Sequence, residues 1–406
     1  MEKTTRYDLY SPEFRRQTHE TFARMRTEAP VFQQPGLDGE TLIWFVTGYD
    51  EVEQVLLDDR HFVRDPATLS PEFAEKYGGT TGLEAMLSSH MLNRDGDDHR
   101  RLRSLVSKAF TPKLIRDLRP RIEQIAADLL DQAAAQGRME LVDDYAFPLP
   151  ITVIAELLGI PPGNQENFRI WSNAFVRPAL TPEAQQEAFA MLQAFGAYMQ
   201  QLVAERRQTP GDDLLSALIH VQEEGDRLSE MELFSMLALL IIAGHETTVS
   251  LIGNATLALL QNPAARQALQ DDPNLIPNAI EELLRYDSPV ERSLTRFVAA
   301  DVTLGGKLLQ RGDLLIAVLG SANRDETQFA NADALDIFRR PNPHLAFGKG
   351  AHYCLGAPLA RLEGEIAIRA LFQRFPDLRL DIAEADLQWR DTPLFRALTH
   401  LPLVWG

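Results

Sequence analysis

The sequence holds a single cysteine, Cys354, in the stretch Phe347-Gly348-Lys349-Gly350-Ala351-His352-Tyr353-Cys354-Leu355-Gly356. Sulfur ligates metals and attacks electrophiles as the thiolate, so its surroundings decide its chemistry. Gly348 and Gly350 precede it and Gly356 follows it. Without Cβ atoms, such positions permit positive φ and a close backbone approach to a flat partner. Beyond the cysteine, Gly356–Phe372 carries Leu359, Leu362 and Ile366 at helical spacing, with Pro358 suited to the first turn. Cys354 is therefore expected at a helix N-terminus, where free N–H groups and the dipole favour thiolate over thiol. A glycine-flanked loop offering a thiolate to a planar metal cofactor accounts for these features together. No intramolecular disulfide can form.

A second group of chemical residues interrupts an apolar run: Ala243-Gly244-His245-Glu246-Thr247-Thr248. Glycine inside a helix costs about 1 kcal/mol relative to alanine, and a carboxylate in an apolar helix costs more unless hydrated or paired. Two such penalties within three residues indicate a site. Ala243 and Thr247 are i,i+4 neighbours, so the Thr247 hydroxyl can bond the Ala243 carbonyl and open a groove for a diatomic ligand or water. A third group, Glu282-Leu283-Leu284-Arg285, offers an acid–base pair at i,i+3, although Glu281 with Arg285 at i,i+4 satisfies spacing equally well. Downstream lie Ala322-Asn323-Arg324-Asp325 and Leu335-Asp336-Ile337-Phe338-Arg339.

The stretch His344–Glu363, HLAFGKGAHYCLGAPLARLE, resembles the cysteine-loop signature of the cytochrome P450 family, close to its soluble bacterial members, and the likeness runs from about Leu42 to the C-terminus. The resemblance implies heme b (iron protoporphyrin IX) ligated by Cys354, with Phe347, Gly348, His352 and Gly356 shaping its loop. It implies that Ala243 and Gly244 flank the heme, and that Glu246 and Thr247 are the acid–alcohol pair supplying protons during dioxygen activation. Glu282, Arg285 and Arg339 would interlock structurally; Leu335 departs from the family, which usually has phenylalanine there. The heme propionates need fixed cations, and the matching positions are His99, Arg103, Arg296 and His352. The implied reaction is monooxygenation of a mostly apolar macrolide, steroid, terpenoid or fatty acid. A peroxide-driven peroxygenase or a non-enzymatic heme sensor are the competing readings; the intact Glu246-Thr247 pair speaks against both. Electrons are expected from a ferredoxin and its NAD(P)H-dependent reductase, since 406 residues leave no room for a fused flavin domain and no glycine-rich dinucleotide motif follows a strand.

The elements that must position these groups are mostly helical. Apolar 3.6-residue spacing recurs in Ile122–Ala134, Ile151–Leu158, Ala188–Val203, Asp213–His220, Met231–Leu260 and Pro277–Arg285, and Asp50 with Glu53 reads as a capping box for a helix through Leu57. Strand patterns are Val31–Gln33 with Leu42–Val46, then Arg296–Val298, Val302–Leu304 and Lys307–Leu309 around Gly305-Gly306. The expectation is a mostly-α, α+β architecture, implied by the resemblance to be the helical P450 prism with a small sheet. Heme would lie between the Thr247 helix and the cysteine-loop helix, in one domain spanning 1–406. By the same analogy Phe62–Met91, Phe168–Met199, Leu239–Ala243, Pro289–Leu294 and Thr392–Ala397 line the substrate pocket, where Glu291 and Arg292 either meet a substrate hydroxyl or sugar or face solvent.

Charge and hydropathy set the surroundings. Lys+Arg 40 against Asp+Glu 58 gives −18, which argues against nucleic acid as a partner. A basic island, Arg100, Arg101, Arg103, Lys108, Lys113, Arg116, Arg119 and Arg121, is the expected docking face for an acidic ferredoxin. The polar N-terminal stretch has no apolar core of a signal peptide, and the apolar Leu233–Leu260 run is broken by His245 and Glu246, so a cytoplasmic protein without a membrane anchor is expected.

Overall fold

The computed structural model describes residues 7–78, 88–161, 163–164, 167, 170–171, 181–221 and 226–406. They form two compact units: Met1–Arg64 with Ala126–Ala146 and Thr247–Gly406, and Asp65–Ile125 with Phe147–Glu246.

Among the described residues, the strands all lie in the first unit. Its main sheet runs β1 (Val31–Pro35), β2 (Leu42–Val46), β8 (Leu314–Ala317), β5 (Arg296–Val298), β3 (Phe62–Val63). The β1–β2 hairpin pairs Val31 with Val46, as the two apolar runs require, while β2 and β8 are parallel with Trp44 beside Leu315. Strand β8, the unbroken apolar run Leu314-Leu315-Ile316-Ala317, was not among the expected strands; lying between two others, it carries no alternation to betray it. Val46, Val52, Phe62, Val298, Leu315 and Phe329 pack into one core beside this sheet. A smaller hairpin joins β6 (Val302–Leu304) to β7 (Lys307–Leu309) through Gly305 and Gly306, both at positive φ. A third sheet orders β4 (Arg138–Glu140), β10 (Pro402–Val404), β9 (Arg379–Leu380).

One local expectation is corrected. The helix Tyr49–Leu57 begins after Gly48 with no side-chain cap, so Asp50 and Glu53 form no capping box. Its first amide, from Tyr49, instead donates to Asp325 Oδ2 at 2.8 Å, and Glu53 pairs with Lys349 of the cysteine loop. The cap comes from the far end of the chain, which no local pattern can reveal.

Glu282, Arg285 and Arg339 interlock. Arg285 grips Glu282 with two parallel bonds of 2.8 and 2.7 Å, and Arg339 Nε lies 3.2 and 3.1 Å from the two carboxylate oxygens. Glu282 and Arg285 are 0% exposed. Arg285 spends its other donors on the carbonyls of Asn323, Ala332 and Ala334. The Asn323 side chain then accepts from Leu345 N at 2.6 Å, where the cysteine loop begins. Leucine at position 335 leaves Arg339 on Glu282.

Three helices of the second unit start with side-chain caps. Thr111, Thr181 and Asp213 each accept an amide hydrogen at the heads of Pro112–Asp117, Pro182–Gln208 and Leu214–His220. The helix Glu230–Gln261 crosses from this unit into the first. By length and composition it could span a membrane, but 67% of its most apolar window is buried inside the protein, as in a core helix.

Removing the charge of Glu282 tests how much rests on the buried pair. Glu282→Gln leaves two buried guanidiniums facing a neutral amide, a loss of about 3–5 kcal/mol. Glu53→Gln breaks the partly exposed pair with Lys349 and costs under ~1 kcal/mol. Thermal denaturation and cofactor content of the purified variants should separate the two clearly.

Candidate active site

The cysteine loop is fixed from both ends. Gly348 N donates to Leu345 O at 2.8 Å, and Cys354 N donates to Phe347 O at 2.9 Å, which closes the loop on itself. Gly348 and Gly350 take φ of +68° and +73°, and a Cβ on Gly350 would lie 2.6 Å from the Leu56 carbonyl oxygen. Glycine is thus required at 350 on two counts. Gly356 caps the helix Ala357–Arg374, with Pro358 in its first turn, so Cys354 lies just before a helix N-terminus as expected. The thiol is half-buried, and a Cβ on Gly356 would sit 3.9 Å from Sγ.

A second clamp holds this loop, and spacing alone left it unresolved. Glu281 does not pair with Arg285: it binds Arg361 at 2.7 and 2.8 Å and His344 at 3.1 Å. Burial raises its pKa, but the bonds from His344 and Arg361 outweigh that and hold it at about 2. Arg361 also lies over the Phe347 ring at 4.5 Å and donates to the Tyr353 hydroxyl at 3.2 Å.

The helix Glu230–Gln261 runs unbroken through the polar group. Ile241, His245, Glu246 and Thr248 are buried, whereas Ala243 is exposed and Leu239, Leu240, Ile242, Gly244 and Thr247 are half-buried. An apolar helix that leaves a bare methyl uncovered at mid-length has room beside it for a flat group. A Cβ on Gly244 would meet Ile154 at 3.3 Å, so the glycine also serves tight packing.

The four expected cations lie in different elements. His99, buried, and Arg103, half-buried, are one turn apart on the helix Gly96–Ala109 of the second unit. Arg296 on β5 is buried and donates to Phe62 O at 2.9 Å, while half-buried His352 ends the short turn Gly350–His352; both belong to the first unit. The basic island is less free than its composition implies. Arg100 pairs with Asp97, Arg101 with Glu232 and Asp226, Lys113 with Asp117, Arg119 with Glu123 and Arg121 with Glu156.

Two expectations about the substrate wall are corrected. Glu291 and Arg292 face neither solvent nor an open wall: both are buried. Glu291 pairs with Arg15 at 2.7 Å, and Arg292 donates to Leu9 O at 2.8 Å while lying over the Tyr10 and Phe14 rings. The N-terminal segment covers them, a long-range partnership that local spacing cannot encode. In the expected pocket-lining stretch Phe168–Met199, Phe168 and Phe175 lie outside the described residues. Trp171, Phe195 and Met199 are buried, with Phe195 edge-on to both Trp171 and Phe234, and so are core. Phe189 is 50% exposed.

Sequence reasoning missed Glu363. It sits on the post-cysteine helix at 1% exposure, and its Oε2 has no hydrogen-bond partner. Burial pushes its pKa up to about 8, against a hydrogen bond from Thr248. A carboxyl two residues after Arg361 in an otherwise apolar helical face was the available signal.

A sole thiol, half-buried at a helix start beside glycine backbone, suits a planar iron cofactor ligated through sulfur. That defines the class as heme-thiolate proteins. The Cytochrome P450 family profile matches residues 164–380. Cytochrome P450 107B1 of Saccharopolyspora erythraea is 46% identical over 97% of this chain and 96% of that one, and 6-deoxyerythronolide B hydroxylase of the same organism is 41% identical over 98% and 99%. Among solved structures, myxobacterial cytochrome P450 CYP267B1 in complex with myristic acid superposes with a TM-score of 0.92 at 39% identity, covering 98% of each chain. The chain belongs to the cytochrome P450 family. It is an oxidoreductase that incorporates molecular oxygen, has the P450 fold, and takes heme b through a cysteine thiolate.

Glu363 makes stability depend on pH. Below about 4.5 its carboxyl is protonated folded and unfolded; above that the unfolded chain ionises while the folded one stays protonated until about 8. The folded state therefore loses ground as pH rises through this window, and the loss is complete above it. Glu363→Gln should flatten the fall in melting temperature between pH 5 and 8, a difference of the order of a few kcal/mol. Parallel melting curves for wild type and variant would refute the assignment.

Proposed function

We propose that the protein is a monooxygenase inserting one oxygen atom into a mostly apolar organic compound, with Cys354 as the iron ligand. The observation that carries the reading is the sole thiol of the chain, fixed through its amide to Phe347 O just before a helix N-terminus. The bound heme supplies reductive activation of dioxygen, and the thiolate ligand favours O–O cleavage. The chain's own residues do the rest. Phe347, Gly348 and Gly356 shape the loop, and His99, Arg103, Arg296 and His352 are the cations for the propionates. Ala243 and Gly244 leave the helix surface low, and Glu246 with the Thr247 hydroxyl moves protons inward while the apolar side chains around them exclude bulk water.

The substrate class is a macrolide, steroid, terpenoid or fatty acid rather than a small polar metabolite. Half-buried Leu239, Leu240 and Ile242 offer aliphatic surface next to Ala243. The two polar residues that would have suited a sugar or hydroxyl, Glu291 and Arg292, are engaged elsewhere. One relative is named for 6-deoxyerythronolide B and one similar structure holds myristic acid, both large or long and largely apolar. Burying ~200 Å2 of apolar ligand surface at roughly 25 cal/mol per Å2 gives about 5 kcal/mol before the costs of association. Electrons come from a ferredoxin with its NAD(P)H-dependent reductase, and the protein works in the cytoplasm; a membrane-length helix that is mostly interior supports the latter.

The reduced wild type with carbon monoxide should give the red-shifted Soret band of a thiolate ligand, and Cys354→Ala should lack it. Product should form with NADPH and surrogate redox proteins; an imidazole-like spectrum in folded wild type, or product with peroxide alone, overturns the reading. A titration of the ferric protein with a macrolide, a steroid, a fatty acid and small polar acids tests the substrate class. The large apolar compounds should shift the heme spin state, and a response confined to the polar acids would exclude an apolar pocket.

A further inference from the structure

His245 has no assigned task, yet it is 0% exposed beside the proposed proton-carrying carboxyl. Its Nδ1 lies 2.7 Å from the carbonyl oxygen of Ile241, one turn earlier. A carbonyl only accepts, so Nδ1 carries hydrogen and the chemistry of the ring is left to Nε2. Nε2 stands 3.4 Å from Glu246 Oε1, an ion-pair separation. Consecutive residues ordinarily diverge around a helix. Here the bond to Ile241 turns the imidazole back along the helix, and Phe147 meets the ring edge-on at 5.7 Å and 90°. Glu246 is itself 3% exposed.

Two protonation states suit this geometry when Glu246 is paired: a neutral ring accepting from a protonated carboxyl, or an imidazolium facing a carboxylate. A neutral ring beside a carboxylate sets a lone pair against a buried negative charge, which is costly. A proton carrier must pass through the ionised state each time it releases its proton, so that state is the one needing support.

We propose that His245 is a positioning residue for Glu246: held by Ile241 with Nδ1–H outward to the carbonyl and protonated at Nε2, it stands as an imidazolium beside the carboxylate. A solvent proton arriving at Glu246 forms the acid transiently, and Glu246 passes that proton to the Thr247 hydroxyl as the hydroxyl gives up its own to the dioxygen being reduced. The electron pair of the broken carboxyl O–H bond stays on Glu246, which returns to the carboxylate that faces the imidazolium. The inference rests on the proton-carrying role given to Glu246 and Thr247 above.

The test combines a direct readout with turnover. In 15N-histidine-labelled holoenzyme, in the diamagnetic ferrous carbon-monoxide form, both nitrogens of His245 should be protonated, the signal being assigned by its loss in His245→Gln. Glu246→Gln should turn the ring neutral with the hydrogen kept on Nδ1. A neutral ring in wild type, or hydrogen on Nε2 alone, overturns the proposal, and His245→Phe supplies the assignment where His245→Gln does not fold. In turnover, His245→Phe keeps the ring contact with Phe147 and should keep the thiolate Soret band while product per NADPH falls roughly tenfold. An unchanged yield in His245→Phe alongside a reduced yield in Thr247→Ala overturns the role of His245 and leaves the relay standing. Unchanged yields in both overturn the relay itself.

Discussion

Glu282 carries a negative charge where no water reaches it, and the cysteine loop is arranged around the consequences. Taking such a charge out of water costs several kcal/mol unless its lone pairs are used. Here they are: two guanidiniums, the Asp336 amide and the Asn342 side chain all donate to the one carboxylate. The guanidiniums impose the same demand in turn, and Arg285 meets it with three backbone carbonyls from 323 to 334. Each bond fixes chain that has no regular secondary structure of its own. The segment from Asn323 to the cysteine loop is therefore ordered by charge satisfaction rather than by a ladder or a helix.

From there the constraint passes to sulfur in short steps. Asn323, whose carbonyl is held by Arg285, holds Leu345 N with its side chain; Leu345 O holds Gly348 N; Phe347 O holds Cys354 N. Glu281, one residue from Glu282, approaches the loop from the other side through Arg361 and His344. Two adjacent carboxylates on the helix Ile276–Tyr286 thus split the labour, one inward to the 323–342 segment and one outward to the loop. A thiolate that must keep one position through a catalytic cycle gains more from such fixed backbone than from any single strong contact.

What was legible in the sequence followed physical range. Helices and the two hairpins announce themselves through spacing within a dozen residues, and the cysteine loop through glycines whose positive φ is a local requirement. The i,i+3 partnership of Glu282 with Arg285 was readable, but not its preference over Glu281, because that depends on Arg361 some 80 residues away. The same limit hid β8, whose buried place in the sheet erases alternation, and the Tyr49 cap supplied by Asp325. Glu291 and Arg292 were misplaced for this reason too: a charged pair in an apolar context signals a partner, but the sequence does not say that the partner is the N-terminal segment.

That last partnership bears on the substrate reading proposed above. Arg15 bonds Glu291 and the Thr392 carbonyl, while Arg396 bonds Asp287 and the Arg15 carbonyl. Glu291 N in turn donates to Leu394 O, and Val290 bridges Phe395. The segments 287–292 and 392–396 are thereby sewn into a ribbon whose charges all point to the N-terminal strand of chain. Charges paired in this way are costly for a ligand to recruit, since a substrate hydroxyl would have to displace charge-assisted bonds worth more than its own. What this ribbon still exposes is apolar: Val290, Pro393 and Leu394. Selection among substrates by such a surface works through shape and area, which separates large apolar compounds from small polar ones strongly and similar compounds from each other only weakly.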